Sequence, residues 1–442
     1  MAKVITTELQ HSGASGANIT LDGSKNVTCE NNLQVDGNVT VTGTIPADKL
    51  TGTAAAINGS NITNLPAANL TGTLPAISGA NLTGITSNPP PFRNLIINGA
   101  MNVNQRPDAT TTTSGEFVLD RFKAGWSGAD ENITHAKRAL SAVETGPWNA
   151  GFKNCLSLTN GNQTSGAGAG DDVWIEYAVE DQDIATSGWQ AESASSKLTL
   201  SFWLKASVAQ TYYVILETKH GTSKNFAFAA TVSANTWTKI TKTIPGHADI
   251  SFGNDSGEGI DIYFVPFYGT DKTTSGHTVD AWSNTSGSDQ APDMTSTWWT
   301  TNDSTFEITG VQLEVGDTAT DFEHRTYADE LIRCLRYYYY HIGEAKNSGI
   351  DSPICIVYYY NNSSAIGLVK FPIPMRTQPN LKQNTGTNMY RIYRDNGNET
   401  FDELNMPAES NNTHAKLTRS SLSASGGISG MLDTMASTAF IA

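Results

Sequence analysis

Every phenylalanine, tyrosine and tryptophan of the 442-residue chain lies after Pro91. Those side chains bury the most apolar area per residue and dominate globular cores, so the first 91 residues cannot form a self-sufficient domain. Residues 51–91 also carry no charge and consist of Thr, Gly, Ala, Asn, Ile, Leu, Ser and Pro. One copy of such a segment buries too little to offset its conformational entropy.

An internal repeat shows how the deficit is met. Pro46-Ala47-Asp48-Lys49-Leu50-Thr51-Gly52-Thr53 recurs 20 residues later as Pro66-Ala67-Ala68-Asn69-Leu70-Thr71-Gly72-Thr73. Ile57-Asn58-Gly59-Ser60-Asn61-Ile62-Thr63 recurs at the same spacing as Ile77-Ser78-Gly79-Ala80-Asn81-Leu82-Thr83. A register kept over two units marks a repeat architecture rather than a linker. Upstream, Leu33, Val35, Val39 and Val41 alternate with polar residues around Asp36-Gly37-Asn38, a hairpin pattern. Such units expose a narrow apolar edge that three copies wound about one axis can bury. The expected architecture is a parallel homotrimer with Leu50, Ile57, Ile62, Leu70, Ile77 and Leu82 at or near the axis.

These repeats resemble the shafts of phage tail fibres, particularly those of marine and cyanobacterial phages, on the stretches 38–43 (NVTVTG) and 68–85. The resemblance implies a virion-attachment segment at 1–36 that docks onto other tail proteins and a trimeric β shaft at 37–88. Pro89-Pro90-Pro91 cannot continue a hydrogen-bonded ladder, so 89–93 reads as a stiff hinge.

From Asn94 onward, short apolar or alternating runs are separated by Gly, Asn, Asp and Ser clusters. The runs at 173–179, 197–205, 212–217, 260–267 and 306–314 read as strands. They predict an antiparallel β-sandwich or jelly roll over 94–325. Thr326 can cap a helix with Asp329 and Glu330 in its first turn, which places a linker helix in 326–341. Tyr327, Leu331, Cys334, Leu335 and Tyr338 would form its packed face, against a sheet or the three-fold axis. Runs at 354–360, 365–371, 389–393 and 417–423 predict a β-rich tip domain over 342–442. The fold class is thus all-β: shaft, jelly-roll sandwich, one short helix and a C-terminal β-rich domain. Residues 94–106, 119–122 and 308–338 resemble a jelly-roll domain found in phage tail fibres and similar to carbohydrate-binding modules.

Composition narrows the function. A net charge of −15 repels nucleic acid. No run approaches the roughly 18 apolar residues of a membrane span, and no secretory leader pattern opens the chain. The expectation is a soluble product of the host cytoplasm that is built into the virion. Cys29, Cys155, Cys334 and Cys355 lack metal or disulfide spacing and read as plain thiols. Carboxylates at Asp171, Asp172, Asp181, Asp183, Asp255 and Glu258 could supply oxygens to a loop-fixing calcium ion, but they lack EF-hand spacing and read first as solvated loops, so no metal ligand or cofactor is assigned. No nucleophile elbow, phosphate loop or His-Glu-x-x-His is present.

Sugar binding needs flat rings beside hydroxyl, amide or carboxylate groups. Trp126, Trp148, Trp189, Trp282, Trp298 and Trp299 sit among Gly, Ser, Thr, Asn and Asp and are the glycan-binding candidates, whereas Trp203 and Trp237 read as core or sheet-face residues. In extended backbone, Trp298 and Trp299 would point to opposite sides, leaving one free to stack on sugar. The reading is a non-enzymatic homotrimeric fibre that attaches the virion to a bacterial surface polysaccharide or protein. A purely structural connector or head fibre, and a glycan-cleaving tailspike, are the alternatives.

Overall fold

The computed structural model describes three short strands near the N-terminus and residues 92–106, 110–341, 352–383, 385–394, 397–423 and 426–434. The chain divides into two compact units, Met1–Ile85 and Thr86–Ala442. In the first, β1 (Glu8–Leu9), β2 (Ile19–Leu21) and β3 (Val27–Cys29) form an antiparallel sheet in sequence order. The 33–42 hairpin, the repeats, the proposed axis residues Leu50, Ile57, Ile62, Leu70, Ile77 and Leu82, and Pro89–Pro91 lie outside the described residues.

The second unit begins with thirteen strands. In chain order they are β4 (Thr110–Thr111), β5 (Glu116–Leu119), β6 (Phe122–Ser127), β7 (Thr134–Ala139), β8 (Asn154–Thr159), β9 (Asp172–Glu180) and β10 (Lys197–Ala206). There follow β11 (Gln210–Thr218), β12 (Lys224–Val232), β13 (Thr238–Pro245), β14 (Glu258–Tyr268), β15 (Trp282–Asn284) and β16 (Thr305–Val315). They make two antiparallel sheets, one ordered β13-β10-β16-β8-β7-β4 and the other β15-β12-β11-β14-β9-β6-β5. Alternation decides which side chains meet between them. Leu198, Leu200, Phe202 and Leu204 of β10 are fully buried, as are Ile260, Ile262 and Phe264 of β14. Phe202 meets Phe264 edge-on at 4.9 Å between ring centroids, and Tyr212 meets Phe306 at 5.2 Å. The predicted strands all appear, each one or two residues longer at one or both ends.

Helices α1 (Thr145–Asn149), α2 (Asp181–Ala185) and α3 (Thr297–Thr300) stand where the sequence shows no helical period, being too short to display one. The fourth, α4 (Tyr327–Leu335), is the predicted helix, with Thr326 Oγ1 accepting from the Asp329 amide at 3.2 Å. Its buried face differs from the expected stripe. Tyr327 is exposed, while Glu330 turns inward to accept from the Asn98 amide at 2.6 Å, beside buried Cys334. The helix packs on Ile97 and Val103.

That contact belongs to a clasp between the two ends of the sandwich sequence. Leu95 and Leu313 join through a backbone hydrogen bond, as do Val311 and Gly99. A Cβ on Gly99 would lie 2.1 Å from the Val311 carbonyl oxygen, so only glycine allows this approach. Both oxygens of Glu323 accept backbone amides, from Phe92 and Asn94, at 2.8 Å.

The C-terminal sheet contains β17 (Ser352–Asn361), β18 (Ser364–Lys370), β19 (Tyr390–Arg394), β20 (Gly397–Phe401), β21 (His414–Arg419) and β22 (Ser429–Thr434), ordered β20-β19-β22-β17-β18-β21. One face buries Val357, Tyr359, Tyr390, Ile392, Leu417 and Leu432. The other exposes Ile356, Tyr358, Leu368, Tyr393 and Met431. The strand expected at 417–423 ends instead at Arg419, shortly before Ser421 takes a positive φ of 62°.

Candidate functional site

The seven-stranded sheet turns one set of side chains into the core and the other outward. On β9, Val173, Ile175, Tyr177 and Val179 point in, so Trp174, Glu176 and Ala178 point out. On β14 the outward set is Asp261, Tyr263 and Val265; on β11 it is Tyr213, Ile215 and Glu217. Register aligns these into rows. Tyr263 lies between Ile215 and Glu176, and Asp261 lies between Glu217 and Ala178. Trp174 lies beside Gly125 of β6.

The Trp174 indole rests over Gly125, where a Cβ would come within 2.3 Å of the ring. Lacking a side chain, Gly125 lets the ring settle against the sheet. Tyr263 meets it edge-on at 6.0 Å, and the Lys123 ammonium sits 5.3 Å from the ring centroid. Trp174, Tyr213 and Tyr263 are all half-buried. They are supported by Ile215, Ala227, Val265 and Tyr268 and by Ala291 and Met294 from the loop after β15.

Polar groups are interleaved with these rings. Lys123 pairs with Glu176 at 2.8 Å, and Lys219 reaches both Glu217 and Asp261 at 3.1 Å. Asp261 also accepts from the Tyr263 hydroxyl at 3.2 Å, yet its Oδ1 is buried without a hydrogen-bond partner. Burial pushes the Asp261 carboxyl up to about 6 despite Lys219, whose charge is divided between two carboxylates. Above pH 6 the ionised group therefore costs the fold on the order of 3 kcal/mol, a cost that fades as pH falls toward 3.8. Asp261→Asn is expected to raise the melting temperature at pH 8 and to do so far less at pH 4.5. An equal shift at both pH values would count against a strained carboxylate.

At the foot of this face the groove deepens into a cavity of about 240 Å³ lined by Lys123, Glu176, Glu180, Glu258, Tyr337 and Arg376 among others. Arg336 and the Tyr337 hydroxyl clamp Glu180 at 2.5 Å and 2.6 Å. Arg376, from the loop after β18, donates to the Ser256 carbonyl at 2.7 Å.

The six tryptophans singled out in the sequence are not brought together, and most are structural. Trp298 and Trp299 are both fully buried, which corrects the expectation of one exposed ring. They stand on the helical turn α3, where successive side chains are about 100° apart rather than opposed, so both can face the core. Their indole nitrogens donate to the carbonyls of Thr305 at 3.0 Å and Gly166 at 2.8 Å. Trp189 is buried against Phe252, and Trp282 packs on Phe226 while donating to the Pro245 carbonyl. Trp126, on β6 rather than in a loop, meets the buried His135 ring edge-on. Trp148, on α1, has the Lys153 ammonium 3.3 Å from its ring centroid.

Trp148, Trp203 and Trp237 do share a second aromatic cluster, on the outer face of the sandwich's six-stranded sheet. Its polar groups are saturated: Glu144 takes Arg138, Lys205 and the Trp237 indole. The Arg138 guanidinium holds the Glu144 carboxyl well below the usual carboxylate range. Such a self-paired cluster has little left to offer a ligand. The Trp174 face, with a buried unpartnered oxygen, is the better candidate. Sequence reasoning sought tryptophans in loops and passed over this face, although the alternation in 173–179 and 260–264 already put Trp174, Glu176, Asp261 and Tyr263 on the outward phase.

No protein-family profile and no curated protein matches the chain. Solved structures to which it is similar include a candidate sugar-binding protein from Bacteroides thetaiotaomicron, at 12% identity and TM-score 0.27, covering 51% of this chain and 100% of that one. A family 11 carbohydrate-binding module from Clostridium thermocellum, in complex with a mixed-linked tetrasaccharide, matches at 11% identity and TM-score 0.23 over 49% of this chain and 98% of its own. The N-terminal cellulose-binding domain of a Cellulomonas fimi β-1,4-glucanase matches at 10% identity and TM-score 0.24 over 48% and 97%. At such scores these likenesses carry no argument about what this chain binds.

Proposed function

We propose that the outer face of the seven-stranded sheet binds a neutral polysaccharide without cleaving it, and that the chain is a phage tail-fibre adhesin attaching the virion to a bacterial surface. The observation that carries the first part is Trp174 laid over Gly125 beside Tyr263 and the buried, incompletely partnered Asp261. Half-buried rings offer stacking faces, and a carboxylate kept at a stability cost marks a group retained for binding. Three carboxylates face two ammonium groups here, on a chain of net charge −15, so acidic glycans are disfavoured.

The fibre assignment rests on the sequence resemblance and on the 20-residue repeat. Three chains on one axis would present three such faces, so that weak sites add up to firm attachment. On this reading the N-terminal segment docks onto the virion, and sedimentation of the full chain gives a trimer; a monomer at micromolar concentration would sink that part.

Binding of the full chain to an array of neutral and acidic bacterial oligosaccharides tests the site. Trp174→Ala is expected to weaken capture of a neutral ligand by at least about tenfold, with Asp261→Asn also weakening it. Unchanged capture by both variants refutes the site, and release of reducing ends from host envelope refutes the non-catalytic reading.

A further inference from the structure

Strands β9, β14 and β11 are neighbours, and the C-terminal ends of β9 and β11 lie at the same edge of the sheet as the start of antiparallel β14. That edge gathers three residues remote in sequence. Asp181 opens α2 directly after β9, His220 lies in the β11–β12 turn, and Asp255 lies in the loop before β14. One donor atom from each falls within 4.8 Å of the others.

The cluster is unusual in what it lacks as well as in what it contains. Asp181 is 0% exposed, and its Oδ1 is buried with no hydrogen-bond partner. Its Oδ2 accepts the Asp255 amide at 3.3 Å. Asp255 Oδ1 accepts the Gly257 amide at 2.6 Å, which fixes that carboxylate and leaves Oδ2 available. Gly253 passes so close to His220 that a Cβ would lie 2.4 Å from Cε1, so the imidazole is pressed against the loop. Two carboxylates and an imidazole share one small space, and among the described residues neither carboxylate is in an ion pair with a lysine or arginine. A buried, unpartnered carboxylate oxygen beside a second carboxylate is costly unless a cation joins them.

We infer that Asp181, His220 and Asp255 form a site for a divalent transition ion of the zinc class. The imidazole decides the class, because calcium and magnesium prefer oxygen alone while zinc accepts one nitrogen with carboxylates. Zinc bonds of about 2.0–2.2 Å place donors roughly 3.4 Å apart in a tetrahedron, so the three groups, within 4.8 Å of one another, need to close by at most about 1.4 Å. Water fills the fourth position. The ion ties α2, the β11–β12 turn and residues 253–257 together. Ser256 of that loop holds Arg376, and Gly257 and Glu258 line the cavity at the foot of the aromatic face. Its role is to fix one wall of that cavity, and the inference does not depend on what the cavity receives.

The test uses the untagged full chain after chelator dialysis. Titration calorimetry with zinc chloride is expected to show one tight equivalent per chain, with a rise in melting temperature and little response to calcium chloride. Cobalt(II) should give visible absorption bands of tetrahedral intensity. His220→Gln, at a partly exposed turn, and Asp181→Asn, which preserves shape, should each weaken zinc binding at least about tenfold with the fold intact by circular dichroism. Absence of stoichiometric zinc binding by the folded wild type, equal binding by both variants, or preference for calcium over zinc each overturns the assignment.

Discussion

Trp298→Ala is expected to cost the sandwich about 3–5 kcal/mol, the range for emptying a large aromatic site in a packed core. The indole is 0% exposed and donates to the Thr305 carbonyl, so its loss opens a void and orphans a buried acceptor. The surroundings have little freedom to collapse. Asn160 Nδ2 and Ser304 Oγ both donate to the Trp298 carbonyl, and Trp299 is held against Phe267 at 5.4 Å. Trp299→Ala is expected to behave alike. Denaturant unfolding gives the loss directly, and ligand capture by whatever fraction stays folded should be unchanged. A variant with near-normal stability but no glycan binding would restore Trp298 to the surface and displace the Trp174 face.

A large pH effect should come from His135. Its ring is 0% exposed, and neither nitrogen has a hydrogen-bond partner. Burial holds it neutral, lowering its pKa to about 4 against the weaker opposing pull of Glu116. The unfolded chain takes up that proton near pH 6.5, the folded chain only near 4. The stability from keeping His135 neutral is therefore complete above pH 6.5 and drains away as pH falls to about 4, a loss of about 3 kcal/mol. His135→Phe removes the titrating group while keeping a ring beside Trp126. The stability difference between variant and wild type should widen in the variant's favour from pH 7 to pH 4. A difference independent of pH would show that the ring is hydrated or paired.

The strands of the sandwich were legible because alternation in stretches such as Leu198, Leu200, Phe202 and Leu204 has one physical solution, a sheet with one face in a core. The α4 cap was legible for the same kind of reason, since Thr326 and Asp329 stand at the spacing that closes a helix N-terminus. What stayed hidden depended on contacts between distant segments. Glu330 replaced Tyr327 on the buried helix face because the Asn98 amide, 232 residues away, needed an acceptor. Trp298 and Trp299 turn inward together on a four-residue helical turn too short to leave a periodic trace in the sequence. Asp181, His220 and Asp255 meet only because β9 and β11 end where the antiparallel β14 between them begins. The Trp174 face was within reach of a reading that asked what the outward phase of each strand carries.

The clasp between residues 92–99 and 311–330 would take on a mechanical meaning if, as proposed, the chain is built into a fibre. Tension entering at Phe92 and leaving beyond α4 meets the Leu95–Leu313 and Val311–Gly99 backbone bonds to β16, the Glu323 amide pair and the Asn98–Glu330 bond before it reaches the other strands. The strands before β16 lie outside that load path, as cargo hung from a closed link. On that reading, a pull that would peel a sandwich open from its termini is instead borne by bonds acting side by side, so the proposed binding face keeps its shape under tension.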